Sequence, residues 1–370
     1  MKSFSCSQCQ QLLFFENVAC TRCGTKLAYL PDRMIVSPIK EDGASVIALA
    51  PGSKGKRYRL CRNSIEHGAC NWAVPESDAQ PYCLACRLNA VIPDLSDAEA
   101  KAAWIRLEAA KRRLIYSLLA LHLPVDSRTD RPQGGLAFSF MKEAPGTQQV
   151  FTGHSDGLIT INVAEADDPF REKMRTQMGE AYRTLVGHFR HEVGHYYWDR
   201  LIQDSDQLPA YRALFGDERA DYGEALKRHY AQGAPADWSL SFVSQYASMH
   251  PWEDWAETFA HYLHMVDALD TARGFGVALR ANPVVKAGLL PVRAQRLDFD
   301  DFDDLIRAWF PLTITLNSFN RGMGLPDLYP FVLGERTIAK LRFVHDVVER
   351  VMPAQSSSMS PQPRDRKSVV

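Results

Sequence analysis

Phe189-Arg190-His191-Glu192-Val193-Gly194-His195-Tyr196 is the stretch on which the reading of the chain turns. Two histidines four apart stand one turn apart on the same face of a helix, where their imidazole nitrogens can grip one zinc ion. Glu192 between them emerges beside the metal's open position and can take a proton from a bound water. An accidental match is the competing explanation, and the surroundings argue against it. Residues 178–202 hold no proline, and Tyr182, Leu185, Val186, Phe189, Val193 and Tyr196 recur at helical spacing, so the motif belongs to an amphipathic helix. His188 and His191 are also a turn apart, but no acid lies between them; His188 reads as a second-face or packing histidine.

Outward from the motif, a chain of 370 residues has room for two domains. A formal net charge of −1 gives no global case for nucleic acid or a membrane surface. No apolar window is long enough for a transmembrane helix, and Met1–Cys6 has no apolar leader core, so the expected location is cytoplasmic. All eight cysteines fall between Cys6 and Cys86, and that asymmetry marks a domain boundary. Disulfides would need an oxidising compartment. The CxxC spacing of Cys6/Cys9, Cys20/Cys23 and Cys83/Cys86 favours zinc instead, because each such turn offers two thiolates to one ion. The expectation is two closed four-cysteine sites: Cys6, Cys9, Cys20 and Cys23, then Cys61, Cys70, Cys83 and Cys86. Such sites stabilise small folds and leave no position open for chemistry. Between them, 44–50 reads as a strand, and Lys54, Lys56, Arg57, Arg59 and Arg62 form a basic run. A ribbon with a basic flank can bind nucleic acid, although a solvated face is the commoner meaning.

Past the cysteines, Ser96-Asp97-Ala98-Glu99 reads as a capping box opening a helix that ends before Pro124. Strands are expected at 136–141, 148–152 and 158–163, the last lining the cleft as a substrate strand, followed by the motif helix. Further helices are expected at 217–230, 252–267, 301–310 and 335–351, and a polar Ser/Pro-rich tail from 353.

Two histidines leave a zinc ion short of a third protein ligand. The richest downstream segment is His250-Pro251-Trp252-Glu253-Asp254-Trp255-Ala256-Glu257-Thr258-Phe259-Ala260-His261. Glu253, Glu257, His261 and His264 make a polar stripe beside an aromatic face. Of two carboxylates one turn apart, one can bind metal and the other can accept the free N–H of a ligand histidine. Asp217, Glu218 and Asp221 form a rival acidic cluster, better read as a helix cap with surface charges.

HExxH followed by a helix with Glu-x-x-x-acid resembles the gluzincin class of metallopeptidases. That resemblance implies Glu253 as the zinc ligand and Glu257 as the acid that supports a histidine, where the class usually has aspartate. The N-terminal cysteine knuckles, FRHEVGHYYWD, FGDERADY, HPWEDWAETFAHYLH and LPDLYPFVLG together are similar to a bacterial family of zinc-binding metallopeptidases with an N-terminal zinc-ribbon domain, over nearly the whole chain except the tail.

The expected fold is therefore α+β: a cysteine-rich zinc-ribbon region at 1–92, a zincin-like domain at 93–352 and a disordered tail at 353–370. The expected cofactor is Zn2+, one catalytic ion and two structural ones. Glu192 is the expected general base, the substrate a peptide or protein, and the oxyanion donor one of Tyr222, Tyr246, His250, His261 or His154. The alternative is a zinc-ribbon adaptor for nucleic acid or protein carrying an inactive HExxH site.

Overall fold

The computed structural model describes residues 3–143, 150–178, 184–277 and 301–351. Short strands come first. β1 (Phe4–Ser5) and β2 (Leu12–Leu13) form a hairpin. β3 (Leu27–Leu30), β4 (Ile35–Asp42), β5 (Ser45–Ala48), β6 (Arg57–Leu60) and β7 (Ala73–Pro75) form an antiparallel meander, with helix α1 (Arg62–His67) inserted before β7. Each CxxC loop closes on itself: Gln10 N donates to Cys6 O, and Gly24 N donates to Cys20 O. Gly24 takes a positive φ of 70° there, as the tight turn requires, and Gln10 tolerates 62° in the matching place.

The second sheet begins at β8 (Asn89–Val91), before the boundary expected at 92. Helix α2 (Ala98–Ala120) follows, then β9 (Ala137–Met141), β10 (Gly153–Ser155) and β11 (Leu158–Asn162), in the spatial order β10-β11-β9-β8. Alternation puts Phe138, Phe140, Ile159 and Ile161 into the core. Two expectations change here. The cap of α2 is Asp97, whose carboxylate accepts from Glu99 N and Ala100 N, because Ser96 is already held by Asp94. And 158–163 is not an edge: β11 pairs with β10 on one side and β9 on the other. The tight turn at Asp156 and Gly157, both at positive φ, folds β10 back to the outside, so β10 is the edge strand nearest the motif helix. The strand expected at 148–152 falls partly outside the described residues, and 150–152 is not strand.

The rest is helical: α3 (Asp168–Met178), α4 (Leu185–Leu201), α5 (Leu208–Phe215), α6 (Tyr222–Gln232), α7 (Pro251–Gly274), α8 (Phe302–Gly322) and α9 (Glu335–Val351). Helix α4 is the motif helix, capped by Thr184, whose hydroxyl accepts from Gly187 N; Tyr182 lies outside the described residues. Helix α6 starts later than expected because the Asp221 side chain caps it. Helix α8 runs on through Pro311, since Trp309, Leu312 and Thr313 bury its inner face and offset the missing N–H. Among the described residues no helix is long and apolar enough to cross a membrane. One continuous core joins Tyr29 and Trp72 of the cysteine-rich region to α2, α4 and α7.

Candidate metal centre and active site

The site forms where α4 crosses α7. Gly194 faces Ala256, and a Cβ on Gly194 would lie 2.9 Å from Ala256 Cα, so the two helices approach only because both residues are small. Trp255 Nε1 donates to Gly194 O at 2.8 Å and pins the crossing. That contact fixes which residues of α7 look across at His191 and His195.

Glu253 does. Its Oε2 lies 3.0 Å from His191 Nε2 and 3.4 Å from His195 Nε2, and the two Nε2 atoms are 3.2 Å apart. These three atoms carry lone pairs, and Glu253 Oε2 is buried without a hydrogen bond among the described residues. Acceptors crowded with no donor between them fit a cation. A tetrahedron with bonds of about 2.0–2.1 Å has edges of roughly 3.3 Å, which matches this spacing. Glu257 lies on the other side of the same imidazole, with Oε1 2.7 Å from His191 Nδ1 and Oε2 accepting from Ser244 Oγ at 2.6 Å. Tyr222 donates to Glu253 Oε1 at 2.9 Å, so Oε2 is the oxygen left toward the histidines. Trp252 packs on His195 with ring centroids 4.0 Å apart.

Burial alone would raise both carboxyls, but the imidazoles of His195 and His191 hold Glu253 well below the usual carboxylate range, and His191 does the same for Glu257. Glu192 is buried too, and there burial wins: its pKa is raised. It borders a cavity of about 440 Å³ that opens from His191.

The other expected residues divide. Tyr246 and His261 line the cavity, with the Tyr246 ring 6.0 Å from His191. His250 is spent on structure: its Nδ1 accepts from Trp252 N at the start of α7 and its Nε2 donates to Ala220 O. His154 on edge strand β10 stacks on His195 at 6.3 Å, and its Nε2 accepts from Gly157 N. His188 is not core packing but lines the cavity, 3.2 Å from Glu165. In the rival cluster Glu218 pairs with Arg212 and Asp217 with Arg219, as cap and surface charges. His264 at the cavity wall was legible only as part of the stripe.

Both cysteine quartets converge. Cys6 and Cys23 Sγ are 3.8 Å apart, Cys9 and Cys20 3.6 Å, and Cys70 and Cys83 3.7 Å. All eight are free thiols, each quartet's sulfurs lie within 4.8 Å of one another, and these three separations are close to the edge of a zinc–thiolate tetrahedron, about 3.8 Å, far from a disulfide's roughly 2.05 Å. Of the basic run, Arg57 is paired with Asp42 and Glu76, and Arg62 with Glu66, while Arg59 donates to backbone carbonyls of Asp78 and Gln80.

Residues 100–347 match the family described as "Putative zinc-binding metallo-peptidase", and residues 3–97 match a zinc-ribbon domain. The chain belongs to that metallopeptidase family. An uncharacterized protein of Mycobacterium bovis and two of Mycobacterium tuberculosis strains are 45% identical over 354 residues, covering 95% of this chain and 97% of each relative. No solved structure matches. The family names and the three donor clusters together point to zinc binding.

Proposed function

We propose that this protein is a zinc-dependent peptidase of the gluzincin type, acting on peptide or protein substrates. His191 Nε2, His195 Nε2 and Glu253 Oε2 would hold the catalytic ion, and each of the two cysteine quartets would hold one structural zinc. The observation that carries the reading is the convergence of these three acceptor atoms at 3.0–3.4 Å beside an open cavity. A zinc ion there would supply Lewis acidity, acidifying a water molecule and polarising a peptide carbonyl.

The chain's own residues do the rest. Glu257 accepts the Nδ1–H of His191, which fixes the tautomer and turns the Nε2 lone pair toward the site. Glu192 takes the water proton on a carboxylate oxygen and passes it to the leaving amine nitrogen. Of the two tyrosines among the described residues that line the cavity, Tyr230 and Tyr246, Tyr246 has its ring 6.0 Å from His191 and would donate to the carbonyl oxygen as negative charge develops there. Tyr222 orients Glu253 instead.

The test is a peptide-library digest with metal analysis, comparing wild type and Glu192→Gln. Wild type is expected to cleave and to carry three zinc ions. The Gln variant is expected to keep its zinc and lose roughly 10²–10⁴ in rate. A Gln variant as active as wild type, or a wild type that cleaves nothing, would overturn the reading.

A further inference from the structure

The cavity beside the metal centre is lined by more than the proposed reacting groups, and its wall at His261, His264 and Phe331 has its own chemistry. Its volume of about 440 Å³ lies within the range of small-molecule pockets, about 300–1,000 Å³, and leaves room for a large side chain with its flanking backbone. Among the described residues its lining includes no lysine, arginine or aspartate; the carboxylates there are Glu192 and Glu257. Both oxygens of Glu257 are already engaged, by His191 and Ser244.

Two of the lining histidines, His261 and His264, are held neutral. Arg190 donates to His264 Nδ1, and arginine can only donate, so that nitrogen carries the lone pair and the proton sits on Nε2. Arg190 is itself paired with Asp267. His261 meets the Tyr329 hydroxyl at 2.6 Å through Nδ1, and its ring stands edge-on to Phe331 with centroids 4.4 Å apart. Burial keeps His261 down at about 4, and burial with the Arg190 charge keeps His264 well below its ordinary value. Phe331 lines the cavity and packs on the buried Tyr329 behind it, with centroids 5.0 Å apart, so this wall is backed by packed aromatic rings. A carboxylate side chain entering here would lose water and meet no lysine or arginine among the described lining residues. An ammonium would meet no carboxylate beyond the one reserved for proton transfer. An aromatic ring would lose only water and gain edge and face contacts.

We propose that this cavity is the specificity pocket of the enzyme, and that it selects substrates with a bulky uncharged residue, aromatic foremost, next to the scissile bond. The inference rests on the peptidase reading of the metal centre, and binding separates the two. The probes are blocked tetrapeptides, acetyl-Ala-Ala-Xaa-Ala-amide with Xaa as Phe, Leu, Asp or Lys, titrated calorimetrically into the zinc-loaded Glu192→Gln protein. The Phe and Leu peptides are expected to bind at least tenfold tighter than the Asp and Lys peptides.

Two variants in that background localise the effect. Ala260→Leu fills the wall and is expected to weaken the Phe peptide at least tenfold at unchanged zinc content. Val332→Glu changes a rim residue that is 76% exposed, so the fold is not at stake, and is expected to raise Lys relative to Phe several-fold. Equal binding of all four peptides, tighter binding of Asp or Lys, no binding of the Phe peptide, or a preference indifferent to Val332→Glu would each overturn the proposal. A binding preference without any cleavage by wild type would sink the peptidase reading and leave the pocket standing. Cleavage without preference would do the reverse.

Discussion

The quartet Cys61, Cys70, Cys83 and Cys86 and the trio His191, His195 and Glu253 are both convergent donor clusters, yet one is sealed and the other opens on a cavity. All four cysteines of the quartet are buried. Helix α2 closes over them: Glu108 reaches Cys86, Lys111 pairs with Glu108 at 2.8 Å, and Arg112 donates to Ala69 O. Four thiolates around a divalent ion would carry net negative charge, and the buried Lys111 and Arg112 are placed to offset it. At the trio the neighbouring charges are carboxylates, Glu192 and Glu257, which in the proposed reading would manage protons and leave an ion's field for a substrate. The fourth ligand, or its absence, decides which kind of site a chain has built. The quartet Cys6, Cys9, Cys20 and Cys23 is a third case, closed but peripheral, with Cys23 exposed.

The largest expected effect is at the sealed site. Replacing Cys70 and Cys83 with serine should leave no cooperative melting transition by circular dichroism, because structural zinc contributes about 10–16 kcal/mol in small domains and a whole domain is stable by only about 5–15. A double mutant that melts like wild type with one zinc fewer would break the comparison. Next comes Glu108→Ala, which strands the fully buried Lys111 and should cost about 3–5 kcal/mol in denaturant unfolding, at unchanged catalytic zinc content. An unchanged unfolding midpoint would show that α2 does not seal the quartet.

At the open site Tyr246→Phe should lower kcat by about 10²–10³ with zinc and KM little altered; an equal loss in binding of ground-state peptide would make Tyr246 a binding residue. Glu253→Ala should abolish tight zinc binding by the trio, whereas Glu257→Ala should weaken it by only about 10–100-fold in competition with a chelator. The opposite ranking would exchange their roles. The smallest expected effect is Cys23→Ser: one zinc lost, with the main melting transition in place. If that variant unfolds like the Cys70 and Cys83 double mutant, the peripheral quartet is not peripheral in energy.

Much of this was written locally. Spacing on a helix put His191, Glu192 and His195 together, CxxC turns assembled themselves, and the apolar period of 335–351 gave α9 at the ends it has in the structure. His250 and Pro251 mark a helix start by sequence, but nothing local says that both nitrogens of His250 are consumed there; Ala220 is brought in by the fold. The extent of α8 past Pro311 was also invisible, because propensity argues for a stop and only burial of Trp309 and Leu312 overrules it.

By itself, then, the sequence determined the metal-binding half of the site and the cysteine knuckles, because those depend on periodicities of one helix or one turn. The tertiary structure decided the rest. Glu253 and Glu257 share a helix face, and only the depth of the Gly194–Ala256 contact sets which one meets the Nε2 atoms and which one meets Nδ1. Likewise β10, not β11, became the edge strand, since pairing partners come from strands distant in the chain and a hairpin turn does not reveal which of its arms will find another neighbour.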